Sequence, residues 1–269
     1  MNKLQYPICI VSKDRHDTCT THKLLEYEGV KWFYMVEPQD YKSYVDRFGE
    51  NKVVNIEQND KGIYYVRNYC IEWSKKNGFD RHWQVDDDLR SLHYRPMNNL
   101  KGTRNRTRIE NPTKMLSYIE GISNKCVNYG AGCLTHDGFA FSKKNDIDVN
   151  KMIYCFQLIN NLIKARYQPK TSEDVDFSVR ILKEGFVTMV FNKYSFCTPS
   201  SGTLKGGCNS SVDYQKTGNI DGRKLRNLKL CQTYPQWFVE YTKKGQSEIK
   251  PSKIWKSFSQ KPMIKKYGK

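Results

Sequence analysis

The chain lacks most of the short motifs that announce an active site. It has no Cys-x-x-Cys pair, no Gly-x-Gly-x-x-Gly, no Gly-x-x-x-x-Gly-Lys-Ser/Thr and no Gly-x-Ser-x-Gly. These absences argue against a zinc cage, a Rossmann dinucleotide cradle, a P-loop and a serine-hydrolase elbow, respectively. No run of about 18 apolar residues occurs, and the N-terminus has no secretory hydrophobic segment, so a soluble intracellular protein is expected. Nine cysteines, an odd number scattered from Cys9 to Cys231, do not form a disulfide framework and read as reduced thiols, most of them in the core. Histidine is scarce: His16, His22, His82, His93 and His136 are the only ones, and each reads as structural, His136 within a turn.

What the chain does have is a rhythm. Hydrophobic runs at Pro7 to Val11, Trp32 to Val36 and Val53 to Ile56 alternate with helical patterns at Thr20 to Tyr27, Tyr41 to Phe48 and Ile63 to Lys76. Such βαβαβ alternation predicts an α/β fold with a mostly parallel, doubly wound sheet, whose ligands collect beyond the carboxyl ends of the strands. Two segments fall there: Ser12-Lys13-Asp14-Arg15, and Asp86-Asp87-Asp88 after His82 to Val85, which reads as a buried strand. Three adjacent carboxylates repel one another, so a strand end carrying them calls for a cation or a ligand. Asp86 and Asp88, on one side of the pleat, make an oxygen cage suited to Mn²⁺ or Mg²⁺; a solvated acidic turn is the plainer reading. A second acidic group, Glu173-Asp174-Val175-Asp176, follows Thr171-Ser172 and precedes an amphipathic run ending at Gly185. By itself this is what a helix start looks like, because acids are favoured in the first turn. Val187 to Phe191 then reads as another buried strand.

Charge is unbalanced. The net charge is +17, and from Asp221 to Lys269 thirteen lysines and arginines face only three acids. This extension interleaves its charges with Trp237, Phe238, Tyr241, Trp255, Phe258 and Tyr267, a composition suited either to gripping phosphates and stacking on bases or to packing on the body of the protein. A second basic run, Lys101 to Arg108, contains Arg104, Arg106 and Arg108, has no acid, and reads as a loop. With an acidic cage, these surfaces suggest an enzyme acting on a polyanion, most simply nucleic acid. Candidate DNA contacts are Arg104, Arg106, Arg108, Lys243, Lys244, Lys253 and Lys256.

The order of Pro-Ile-Cys-Ile-Val-Ser-Lys-Asp-Arg near the N-terminus, a helix carrying Arg67-Asn68, Trp83-Gln84-Val85-Asp86-Asp87-Asp88, and Ser172-Glu173-Asp174-Val175-Asp176-Phe177 resembles that of GT-A nucleotide-sugar glycosyltransferases. More narrowly it resembles the TET-associated glycosyltransferases, a phage-represented group proposed to glycosylate hydroxymethylated pyrimidines in DNA; the glycine-rich segment from Thr198 to Cys208 is similar as well. The resemblance spans roughly residues 5 to 212. It implies that Asp86 and Asp88 bridge donor hydroxyls and a divalent metal, that Asp87 reaches the sugar, and that Ser12, Lys13, Asp14 and Arg15 face the uracil and ribose. Arg67 or Lys205 would neutralise the diphosphate, and Asp174, with Glu173 beside it, would deprotonate the acceptor. Many GT-A enzymes take a further metal ligand from a histidine near the C-terminus. This chain has none there, which leaves Asp213, Asp176, water or nothing in that place.

The expectation is therefore a GT-A-like domain over residues 1–220 with a basic aromatic extension over 221–269, packed on it or continuous with it. Its expected reaction moves glucose, N-acetylglucosamine or a pentose such as arabinose from a UDP-sugar to 5-hydroxymethylcytosine or a related base in DNA. The resemblance places that reaction in the cytoplasm of a phage-infected bacterium, with no membrane partner. A protein or polysaccharide acceptor is the related alternative. A metal-dependent nuclease, with both acidic groups forming a two-ion cage, is the alternative of another class.

Overall fold

The computed structural model describes residues 4–98, 100–199, 205–207, 222–243, 245–251 and 253–265. Apart from the missing helix between its first two strands, the N-terminal half delivers the expected alternation: β1 (Ile8–Val11), β2 (Trp32–Val36), α1 (Pro38–Phe48), β3 (Val53–Asn55), α2 (Ile63–Lys76) and β4 (Arg81–Asp86). Next come β5 (Ser91–Tyr94), β6 (Met97–Asn98), β7 (Thr103–Arg104), β8 (Thr107–Ile109), α3 (Thr113–Lys125), β9 (Tyr129–His136), α4 (Asp137–Ala140), β10 (Ile147–Val149) and β11 (Gln157–Asn160). The chain continues with α5 (Glu173–Lys183), β12 (Val187–Cys197), α6 (Gly222–Thr233), β13 (Phe238–Lys243), β14 (Gln246–Pro251) and α7 (Ile254–Ser257).

A ten-stranded sheet runs in the order β3-β2-β1-β4-β11-β9-β12-β5-β8, with β10 paired to β12. Strands β1, β2, β3, β4, β8, β9 and β12 point one way, and β5, β10 and β11 the other. The sheet is thus mostly parallel, and β11, inserted antiparallel between β4 and β9, separates its two parallel sets. Strand β1 is buried along its whole length, as a central parallel strand must be when both faces are covered. Its neighbours Trp32, Tyr34, Trp83, Val85, Phe156 and Leu158 join it in the main apolar cluster. Each side chain of that size contributes about 1.5–3 kcal/mol by leaving water.

Three local outcomes differ from the sequence reading. Thr20 to Tyr27 is not an α-helix but a single 3₁₀ turn over Thr21–Leu24. The reason is tertiary: Thr20 N and Thr21 N donate to Asp87 O, Thr21 Oγ1 donates to Asp86 O, and Leu89 N donates to Thr21 Oγ1. These threonines brace the acidic turn from behind. The basic run is not wholly loop, since β7 pairs with β6 and β8 extends the sheet edge at β5. The last expected strand is longer, running on from Phe191 to Cys197.

Helix α5 follows Ser172 and stops before Gly185, whose φ of +87° is a left-handed conformation that glycine adopts without strain. The C-terminal extension packs on this helix. Val175 and Val179 meet Leu230, Tyr234, Phe238 and Ile254. Ser172 donates to Asn227 Oδ1 at 2.8 Å, and Tyr234 OH donates to Asp176 Oδ1 at 2.7 Å. Further along, Val127 N donates to Met263 O and Lys265 N to Lys125 O, so residues 263–265 lie along the α3–β9 connection. Of the interleaved aromatics, Trp237, Phe238, Trp255 and Phe258 pack against one another or on Tyr234; Tyr241 is exposed, and Tyr267 lies outside the described residues. No helix among the described residues is long and apolar enough to cross a membrane.

Candidate active site

The ends of β1 and β4 lie side by side, with Val11 in register with Asp86. This register brings two loops together, Ser12 to Arg15 on one side and the three aspartates on the other. Ser12 Oγ and Arg15 Nη1 both donate to Asp87, the latter at 2.7 Å, and only 4% of the Asp87 side chain is exposed. Asp87 is thus paired with the first loop, and its carboxylate is almost wholly buried. Arg15 also lies 3.5 Å from Asp88 and donates to the carbonyls of Lys205 and Gly206 at 3.0 and 3.2 Å. Gly207 N closes the arrangement on Lys13 O at 2.9 Å. At Gly206, with φ +77°, a Cβ would come within 2.5 Å of Asp14 O, so only glycine permits this approach. The two glycines thereby tie the far end of the glycine-rich segment to the β1 loop. Most of that segment, including Gly202 and Cys208, lies outside the described residues.

Lys13 forms ion pairs with Glu37, at 2.9 Å, and with Asp60, while Asp14 N donates to Asp40 Oδ2 at 2.9 Å. Asp14 sits at φ +51°, a conformation that aspartate tolerates better than most residues. The loop is therefore ringed by acids from α1 and from the turn before α2.

Asp86 and Asp88 remain accessible, with side-chain exposures of 30% and 22%. Burial first, and then the negative charge of Asp86 and Asp87, push the Asp88 carboxyl up to about 6. Arg15 acts against this rise. Two partly exposed carboxylates, two residues apart and each beside one arginine, are the oxygen ligands that suit a hard divalent cation such as Mg²⁺ or Mn²⁺.

Arg67 of α2 joins this group to the second acidic cluster. Its Nη2 donates to Asp86 Oδ1 at 3.2 Å, and its Nη1 lies 3.7 Å from Asp174 Oδ1. It is 3% exposed, so it is a buried bridge between two carboxylates and not an open clamp on a diphosphate. Its position also answers the nuclease expectation, because a cation already stands between the two carboxylates that a second metal ion would have to join. Asn68, next along α2, exchanges hydrogen bonds with the backbone of Tyr167.

Asp174, in the first turn of α5, accepts from Gln157 Nε2 at 3.0 Å, and Gln157 in turn accepts from Tyr167 OH at 2.9 Å. Burial pushes the Asp174 carboxyl up to about 7; Arg67 acts against this, and Glu173 and Asp86 reinforce it. A carboxylate poised near neutrality suits a general base. Cys155, held at φ +53°, has its thiol raised by burial and then by Asp86 and Asp174. Gln157 and Cys155 escape a sequence reading. The available signal was an amide in the otherwise apolar Phe156-Gln157-Leu158-Ile159.

Asp174 and Glu173 line one side of a cleft of about 890 Å³. Other walls are Tyr154, His136 and Phe139 from the sheet side, and Arg223, Arg226, Phe238 and Trp255 from the C-terminal extension. Asp176, one turn-face away, points elsewhere: it is buried against Tyr234 OH and Arg180 Nε, so it is not a further metal ligand. Asp213 lies outside the described residues.

Of the expected DNA contacts, Arg104 is excluded by burial. Its side chain is 0% exposed, paired with Asp146 and donating to the carbonyls of Arg95 and Lys143. Arg106 and Arg108 are exposed beside Asp137 and Glu110, and Lys243, Lys253 and Lys256 are exposed on the extension. Lys244 lies outside the described residues. His93, Asp137 and Cys197 also approach one another as possible metal ligands, but Arg95 and Arg106 already balance the charge of Asp137. His82, with its pKa lowered to about 4 by burial, is a structural residue bonded to Asn161 and Gln84.

Comparison with known proteins adds three findings. No curated protein matches the sequence. Among solved structures, a CMP:2-keto-3-deoxy-manno-octonic acid synthetase complexed with CTP is similar at 12% identity and a TM-score of 0.42, over 70% of this chain and 89% of that one. The family model described as TET-Associated Glycosyltransferase matches residues 6–207, a span containing the β1 loop, the three aspartates, Arg67 and Asp174. The chain therefore belongs to the TET-associated glycosyltransferase family and is a glycosyltransferase.

Proposed function

We propose that this enzyme transfers a sugar from a UDP-sugar to the hydroxymethyl group of 5-hydroxymethylcytosine, or a related hydroxymethylated base, in DNA. The observation that carries this reading is Arg67, which binds the accessible Asp86 on one side and the cleft-lining Asp174 on the other. Donor-side and acceptor-side carboxylates thus belong to one connected unit. Asp86 and Asp88 would hold Mn²⁺ or Mg²⁺, an ion that would supply positive charge to offset that of the leaving diphosphate. Ser12 to Arg15 and Lys205 frame the nucleotide; Asp40 and Asp60 beside them are acceptors suited to the uracil N–H and the ribose hydroxyls.

In the cleft, Asp174 takes the proton of the acceptor hydroxyl as its oxygen bonds to the anomeric carbon. The bond from that carbon to the diphosphate oxygen breaks, and its electron pair leaves with the nucleoside diphosphate. Displacement at one face inverts the anomeric configuration. Gln157 and Arg67 hold the Asp174 carboxylate for this step, and Glu173 keeps its affinity for protons high. The donor half is tested by calorimetry: UDP is expected to bind in the presence of Mn²⁺ and to lose most of its affinity when the metal is chelated. A wild-type protein without affinity for UDP in Mn²⁺ removes the donor assignment.

The acceptor half predicts a salt dependence. If Arg106, Arg108, Lys243, Lys253 and Lys256 neutralise phosphates, log affinity for duplex DNA falls linearly with log salt, by about 0.9 per phosphate neutralised. Substituting glutamine at each contact is expected to lower that slope by about 1. Arg104→Gln is the control, expected to weaken the fold without altering the slope of the folded fraction. Because the extension packs on α5, point substitutions test its charges more cleanly than truncation. Slopes indifferent to all five substitutions would place the DNA surface elsewhere.

A further inference from the structure

We propose that Phe139 is the platform on which the acceptor base stacks, unpaired from its complement, at the mouth of the Asp174 cleft. The inference rests on the DNA-acceptor reading above and goes beyond it in naming the state of the acceptor and the residue that receives it. Phe139 lines the same cleft as Asp174, yet 64% of it is exposed, and Phe141, two residues on, is exposed as well. Single apolar side chains on a surface are ordinary. This ring differs because it lines the same cleft as the candidate base and rests on the ring of His136.

The ring stands on a half-buried histidine that itself rests on a buried phenylalanine. Its centroid lies 5.8 Å from that of His136, whose ring meets the fully buried Phe196 edge-on at 5.4 Å. His136 caps α4 by accepting from Gly138 N. Asp137, the next residue, is fixed by Arg95, Ser195 and Arg106. Behind the helix, Arg104 N donates to Phe141 O, and the buried guanidinium donates to Lys143 O and pairs with Asp146. The arginine that cannot touch DNA thus anchors the segment that presents the aromatic rings. These contacts fix the backbone on both sides of Phe139, whose ring stays on the surface.

Charge identifies the occupant. Exposed Arg106 and Lys144 flank α4 and Arg108 lies further along β8, so phosphates on either side of a base seated on Phe139 would have cations within the same surface. An apolar ring with no polar group of its own, in a cleft lined also by Lys143, Lys151, Arg223, Arg226 and the Asp174 carboxylate, matches a base on a polyanionic strand. A flat ring offers π-stacking to any base, and stacking of this kind is typically lost when the ring is removed. In duplex DNA the base must first leave its stack, which makes unpaired acceptors the preferred ones.

The test compares wild type with Phe139→Ala, Phe139→Leu and Phe139→Trp on single-stranded and duplex oligonucleotides containing 5-hydroxymethylcytosine, with 2-aminopurine beside the modified base. For Ala and Leu, KM for DNA is expected to rise about ten-fold or more, with UDP affinity and melting temperature unchanged because the ring is on the surface; Trp restores the wild-type KM. Wild type and Trp should raise 2-aminopurine fluorescence on binding duplex, and Ala should not. If wild type glycosylates DNA but the Ala and Leu variants match it in KM and fluorescence, the stacking proposal is overturned while the DNA reading stands. If wild type transfers only to a peptide or glycan, both are overturned.

Discussion

Asp174→Asn is expected to lower turnover about 100-fold or more while leaving UDP affinity within about two-fold, because it removes general-base assistance and nothing that holds the nucleotide. The asparagine can keep the hydrogen bond from Gln157, so the loss is one of proton transfer and not of architecture. Steady-state kinetics with calorimetry on the same samples separate the two. The wild-type pH profile carries the same information. With the Asp174 carboxyl raised to about 7 by burial, the unprotonated base is the minor form below that pH. Activity therefore climbs close to ten-fold per pH unit on the acid side and levels above about 7. Arg67 opposes the rise, so Arg67→Met should move this limb to higher pH. An Asp174→Asn enzyme with unimpaired turnover would reduce the Glu173-Asp174 pair to a helix start and favour a retaining route.

Asp88→Asn is expected to weaken Mn²⁺-supported UDP binding by at least about ten-fold, since even the outer partners of metal ligands commonly contribute 10- to 100-fold to affinity. In metal-free protein the same change should raise stability. The Asp88 carboxyl sits at about 6 in the fold, above the ordinary value near 3.9 of an unfolded aspartate, so its ionised form is the disfavoured one. The cost of that charge grows as pH rises from about 4 to about 6 and is fully present above 6. Partial exposure limits it to the order of 1 kcal/mol. Melting curves in chelator should then show the variant above wild type at pH 7 to 8 and level with it near pH 4. A variant that melts lower at pH 7 and binds UDP normally would show that Asp88 is a structural carboxylate and no part of a metal site.

The parts of the molecule visible in the sequence are those where local pattern and tertiary role coincide. Buried parallel strands such as Ile8–Val11 and Trp32–Val36 read as apolar runs because both faces are covered. Asp86 to Asp88 stood out because no local structure rewards three adjacent carboxylates. What was hidden depended on partners distant in sequence. Thr20 to Tyr27 has helical spacing, but its threonines are consumed by the backbone of Asp86, Asp87 and Leu89, some 65 to 69 residues away. Arg104 sits in a basic, loop-like run and reads as exposed, yet carbonyl groups and Asp146 surround it completely. Charge alone could not separate it from Arg106 and Arg108. Asp87 and Asp176 look like their neighbours in composition and differ only in direction, one towards Arg15 and the other towards Tyr234. The aromatic extension had two open readings, and packing on α5 accounts for most of its rings.

The central claim is transfer of a sugar to a hydroxymethylated base, and mass spectrometry of the nucleosides tests it most directly. Duplex and single-stranded DNA with cytosine or 5-hydroxymethylcytosine is incubated with the enzyme, Mn²⁺ and a panel of UDP-sugars, then digested. One donor is expected to add a hexosyl, N-acetylhexosaminyl or pentosyl mass to 5-hydroxymethylcytosine alone, with the product absent for Asp174→Asn. The claim is contradicted if no donor adds mass to modified DNA under conditions in which the enzyme binds UDP.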